Sequence, residues 1–402
     1  MDMCLNIICY VNIMNSIIDR HILTQNSKIK FRQLYNYIDG SNELHYNLIN
    51  LLDVMLKAFY VRINFKLVSD VDLKHVQNEF ISFDKTFNYE QQSKFKIDVS
   101  KMNKLYSFDL IIATDRIRVN VLCNSADDNS KYIVSILYAL HIFCYTFTHR
   151  YDGLTIDVSL DNNRRDIDLG NKDTYSEVFD HMHRNSSAFN VSGVTNKSEK
   201  HIIVTKREEI IKLLYHELVH YVGLDSALLA YDSVVGWAIS EQSLNLSEAY
   251  TEFMSILLYS AYQSIQIYSL DTNRETIYEL YSKLLYAETQ YSVYLTGNIF
   301  KFYGYNYGTY GNFFNGVGQR VATPPISIWE YIVIRTQLLL NLNQVAAVVG
   351  YNWRVTASNI ENLQRLMKID NNMMNSISKM MKNTHVIPSI SYTLIDLNWN
   401  TI

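Results

Sequence analysis

The sequence predicts an α+β protein, and three observations carry that prediction. Strand-like runs lie in the first half of the 402 residues. From Lys206 almost to Lys382, apolar residues recur at helical period. The composition, 48% hydrophobic and 19% charged, is that of a globular chain with ample material for a core.

Taken in order, Met1 to Ile18 is apolar but lacks a basic segment and is interrupted by Asn6, Asn12 and Asn15, so it does not read as a signal peptide. Leu44 to Phe59 has helical spacing, and Tyr60 to Leu67 and Phe108 to Val121 are β-like. The polar cluster Asn124 to Lys131 breaks the pattern. It suggests an N-terminal α+β domain over 1–124 and a second domain over 125–402. Tyr132 to His149 has the length and apolar content of a buried helix, and its apolar run is shorter than the ~18 to 20 residues a bilayer span requires. Gly153 to Leu160 alternates Leu154, Ile156 and Val158 with polar neighbours, as a half-buried strand does. An irregular polar segment then leads to a short strand at His201 to Val204. Helices follow, interrupted by the Gly/Tyr/Asn-rich stretch Tyr303 to Val317 and by Pro324-Pro325. Ile334 to Val349 reads as core or partner-facing helix, not as a membrane segment. There is no internal repeat.

Charge and cysteine usage exclude some classes of function. Lys and Arg total 36 against 40 Asp and Glu, so nothing in the net charge of -4 attracts nucleic acid. Cys4, Cys9, Cys123 and Cys144 lack zinc-ribbon spacing and read as reduced thiols. With no signal peptide and no membrane span, an intracellular location is expected. Abundant Asn, Ile and Tyr accompany AT-rich coding sequence.

The chemistry concentrates at His216-Glu217-Leu218-Val219-His220, an H-E-x-x-H run. A match of that length arises by chance on the order of once or twice in a hundred chains of this size, so its context decides. Thr205-Lys206-Arg207-Glu208 has the form of a capping box, and Gly223 stands where a left-handed C-cap is expected. The two bound a helix over about 206–222. Four residues at ~1.5 Å rise set the two histidines about 6 Å apart along the axis on one face, where both imidazoles can reach one ion. Glu217 falls beside them, able to hold a water.

A catalytic zinc needs a third protein ligand and an open position. Glu248 is the candidate, 28 positions after His220 in Leu244-Asn-Leu-Ser-Glu-Ala-Tyr-Thr-Glu-Phe253. Asn245 or Ser247 can cap a helix over about 247–262, with Glu248 in its first turn. Glu252, one turn later, can accept a hydrogen bond from a ligand imidazole and fix its tautomer. Asp225 is assigned to the same supporting role. His181-Met-His183 reads as solvent-exposed loop, and His141 and His149 as core.

On these residues the sequence resembles the gluzincin branch of zinc metallopeptidases, in which H-E-x-x-H is completed by a glutamate on a following helix. The run Val204 to Asp225 with Ser247 to Phe253 is similar, more narrowly, to proteins of large DNA viruses read as metallopeptidases, as are Ala287 to Ser292 and Trp329 to Ile332. The resemblance covers roughly Ser192 to Arg354. Its helix-to-glutamate spacing is longer than in thermolysin-like enzymes. It implies a zincin-like domain of small mixed sheet, active-site helix and helical C-terminal half, holding one Zn2+ per chain on His216, His220 and Glu248. It also implies that the strand His201 to Val204 lies beneath the active-site helix, and that an edge strand pairs with extended peptide. Glu217 would be the general base on a zinc-activated water, with a protein or peptide as substrate. A tyrosine or histidine would steady the oxyanion, Tyr250, Tyr294 and Tyr331 being the candidates. Two alternatives stay open: a structural or virion-associated protein with a zinc site but no turnover, and hydrolysis of a non-peptide amide or ester.

Overall fold

The computed structural model describes residues 43–85, 101–127, 129–161, 167–168, 193–205, 207, 209–230, 245–270, 276–302, 305–313, 328–382, 389–390 and 394. His181, His183, Cys4 and Cys9 lie outside them. The described part is mixed α+β, as composition and period indicate, and it divides by packing into two units.

One unit takes its described residues from 51–166 and 185–223. It is built on a six-stranded sheet of β1 (Asn64–Val68), β2 (Lys104–Ile112), β3 (Asp115–Cys123), β4 (Thr155–Ser159), β6 (Gly193–Asn196) and β7 (His201–Thr205). Two short strands, β5 (Ile167–Asp168) and β8 (Ser389–Ile390), pair with each other within the other unit. The sheet order is β1-β2-β3-β4-β7-β6. β1, β2 and β3 are antiparallel, β3, β4 and β7 run parallel, and β6 returns antiparallel along β7 at the edge.

Alternation along the strands assigns the two faces. On one face Leu122 and Ile203 meet Val76 and Phe80 of α2 (Leu73–Lys85) and Met102. On the other, Ile202 and Val204 are fully buried on the side of α4 (Ile210–Val222). The crossover helix α3 (Ser130–Thr146) lies beside α4, with Phe143 stacked on Tyr215 at 5.9 Å. The end of α1 (Tyr46–Tyr60) meets α3 through Phe59 and Tyr138. The helix expected over Tyr132 to His149 is therefore present and buried, His141 included. Cys123 and Cys144 are buried and unlinked, and burial pushes the Cys123 thiol up to about 11.

Several expectations shift on contact with this sheet. The β-like run Phe108 to Val121 is a hairpin, turning at Ala113 with φ 53. That left-handed position usually falls to Gly or Asn, so its residue type announces no turn. The polar cluster after Asn124 is a connection within one sheet, because β3 before it pairs in parallel with β4 after it. Packing therefore does not divide at residue 124. The segment read as irregular before Lys200 contains β6.

The α2 face also carries a polar row. Asp157 accepts from Asn120 Nδ2 at 2.8 Å and pairs with His201 Nε2 at 2.8 Å, with Asp157 almost fully buried. Burial would lower the His201 pKa, but the hydrogen bond and charge of Asp157, with Glu79 and Glu199 nearby, outweigh it and raise the net value. A folded-state pKa above the unfolded one stabilises fully below the unfolded pKa, ~6.5, and that stabilisation is lost as pH rises through the raised value. Urea midpoints should accordingly fall from pH 6 upward more steeply in wild type than in His201→Gln. Equal slopes would show that this pair carries no linkage.

The other unit, whose described residues come from 1–50, 167–184 and 224–402, is mainly helical. Its main helices are α5 (Leu246–Leu270), α6 (Ile277–Phe302), α7 (Ile328–Leu340), α8 (Leu342–Val349), α9 (Ile360–Met367) and α10 (Asn371–Met381). A capping box starts α6: Thr276 Oγ1 accepts from the Glu279 amide, and Glu279 Oε2 accepts from the Thr276 amide at 2.9 Å. At Gly297 an added Cβ would lie 1.9 Å from Met380 Sδ, so α6 and α10 pack closely there. Among the described residues no single helix is long and apolar enough to cross a membrane. Tyr331–Leu340 and Leu342–Val349 reach that length together but are bent by 90°.

Candidate metal centre

The helix α4 directly follows β7 and is buried on nearly all sides. Of its thirteen residues only His220 is not classed among the buried ones. Its N-terminus departs from the expected capping box, because Thr205 continues β7 as a strand residue. The helix starts at Ile210, with Glu209 in the N-cap position at φ 58 and no side-chain cap bond. Its C-terminus is as expected. Gly223 is left-handed at φ 69, and its amide donates to the carbonyls of Val219 and His220.

His216 and His220 lie one turn apart, their rings 4.9 Å between centroids and edge-to-face. His216 is 8% and Glu217 5% exposed. Burying ionisable groups in a mostly apolar helix costs stability unless they are paired or hydrogen-bonded, and such groups concentrate at functional sites.

Glu217 is held by β6. Thr195 Oγ1 lies 2.8 Å from Glu217 Oε2 and 2.9 Å from the Glu217 carbonyl oxygen. A hydroxyl has one proton and can also accept. It donates to the carboxylate when Glu217 is ionised. When Glu217 is protonated, the carboxyl can donate to Thr195, whose own proton then turns to the carbonyl.

Glu248 stands in the first turn of α5, half-buried, its amide donating to Asn245 Oδ1 at 3.2 Å. Asn245 is thus the cap. Ser247, the alternative cap, donates instead to Asp225, which is almost fully buried. Two imidazoles with one carboxylate are a donor set zinc accepts.

Glu252 Oε2 accepts from Arg335 Nη1 of α7 at 3.3 Å, and Arg335 Nη2 donates to Ser292 at 3.1 Å. Sequence reading proposed an imidazole as the partner of Glu252 and did not single out Arg335. Asp225 serves as acceptor for the start of α5. Tyr250 donates its hydroxyl proton to the Trp353 carbonyl at 2.8 Å, and burial first, then the Asp225 charge, pushes its pKa up. That proton is committed inside the helical unit, which removes Tyr250 from the oxyanion candidates. Tyr294 is buried in α6 and stacks on Tyr291, and Tyr331 is half-buried at the start of α7. Gly193 and Thr195 were missed altogether, because a four-residue strand between turn residues shows no period.

No family model matches the chain, and no solved structure matches it. "Uncharacterized protein R210" of Acanthamoeba polyphaga mimivirus is 39% identical over 359 residues, which span 89% of this chain and 92% of that protein. The similarity thus runs through nearly the full length of both, and the chain belongs to the family of this mimivirus protein.

Proposed function

We propose that the protein is a zinc-dependent metallopeptidase with a zincin-like fold, and that His216, His220 and Glu248 hold the metal while Glu217 is the general base. The observation that carries this reading is the pair of imidazoles one helical turn apart, His216 and His220, with the buried Glu217 carboxylate on the same helix. The order of elements along the chain supports it: an antiparallel edge strand, the strand beside it that pairs in parallel with β4, the histidine-bearing helix and then the glutamate-bearing one.

Zinc held by His216, His220 and Glu248 would supply Lewis acidity, activating water at neutral pH and polarising the scissile carbonyl. Glu217 takes a proton from the attacking water and delivers it to the leaving amine. The buried surroundings of Glu217 strengthen each of these electrostatic effects by excluding water. Extended peptide would pair with the main chain of β6, the last strand in the order among the described residues.

Elemental analysis should find one zinc per chain in wild type, none in a folded His216→Ala variant and weakened binding in Glu248→Ala. Cleavage of an unbiased peptide library should stop with chelator and return with zinc. Stoichiometric zinc in His216→Ala would overturn the ligand assignment. Tightly held zinc without cleavage of any peptide would transfer the weight to a structural role.

A further inference from the structure

We propose that β6 is a seat for the Glu217 carboxylate, in which Thr195 is the positioning residue and Gly193 provides the clearance; this deepens the reading of Glu217 as general base and rests on it. Residues 193 and 195 are two apart on one strand, so they share a face. Their register partners across the ladder are Val204 and Ile202, which mark that face as the one turned toward α4.

The two residues hold the carboxylate from different sides. Thr195 binds Oε2 at 2.8 Å. At Gly193 an added Cβ would lie 2.5 Å from Oε1, 2.8 Å from Cγ and 2.9 Å from Cδ. Gly193 has no positive φ, so its backbone does not demand glycine. The requirement is space, because the Glu217 side chain lies against the main chain of the strand. The bond to Thr195 then selects one orientation of the carboxyl plane. A base that must meet a water at one angle gains from such orientation, since displacement by about 1 Å can cost ~100-fold in rate.

The test uses the full chain carrying Thr195→Val, Thr195→Ser or Gly193→Ala, with zinc content measured beside steady-state cleavage of a quenched-fluorescence peptide library. Thr195→Val should keep its zinc and lose about 10- to 100-fold in kcat with little change in KM. Thr195→Ser, which keeps the hydroxyl, should recover most of that loss. Gly193→Ala should match or exceed the valine variant. Wild-type kcat in Thr195→Val, or failure of serine to rescue it, would overturn the positioning role.

A second readout needs no turnover. In metal-free protein, Thr195→Val should lower Tm more in the wild-type background than in Glu217→Ala, because the carboxylate partner is already gone from the latter. Equal losses would overturn the seat itself. If zinc-loaded wild type cleaves no peptide while this coupling is present, the seat stands and the peptidase reading falls.

Discussion

Glu217→Gln is expected to retain zinc at the wild-type level and to lose about 100- to 10,000-fold in turnover, the usual contribution of a positioned general base. The substitution nearly preserves shape. An amide can still meet Thr195 and fits where the carboxylate lies against Gly193. What it lacks is basicity, so it cannot take a proton from water. The proposed ligands His216 and His220 flank it on the same helix and are untouched. Zinc analysis, thermal unfolding and peptide cleavage on one preparation check the prediction, and full activity with bound zinc would sink the mechanism. Comparison with Thr195→Val separates the two contributions: the first removes the base, the second only misplaces it.

The largest stability effect is expected in the helical unit. Arg335 is fully buried, and its partner Glu252 is 3% exposed along its side chain. Removing one member of a buried pair leaves the other charge without compensation, which typically costs about 3–5 kcal/mol. Arg335→Ala should lose that much in urea unfolding, and it also loses the bond to Ser292. Replacing both charges by apolar residues of similar size, Arg335→Met with Glu252→Leu, should recover most of the loss, because the desolvation of the pair is then relieved as well. A double variant as unstable as the single would show that the stranded Glu252 charge is not the cause.

The residues differ in how far they could be read in advance. His216, Glu217 and His220 were legible as one group on one helix because H-E-x-x-H is a local pattern and helical spacing is local. Gly223 was readable for the same reason: a left-handed cap favours one residue type. The start of the same helix was not, since Thr205 satisfies a cap pattern and a strand equally well, and its pairing with Ser159 of β4 decided for the strand. The hairpin at Ala113 and the strand over 193–196 were hidden by the lack of any turn residue or period specific to them.

The sequence by itself determined the α+β class, the buried crossover helix, the histidine-bearing helix with its C-cap, and Glu248 as a first-turn carboxylate. These depend on contacts within a few residues, which period and residue type report directly. Tertiary structure alone decided that β6 lies along β7, that Gly193 and Thr195 face Glu217, that Glu252 meets Arg335, and that the Tyr250 proton goes to Trp353. Each of those partnerships spans between 22 and 103 positions or depends on strand register. Over such distances no local pattern constrains which side chains meet; the packing of the sheet and helices does.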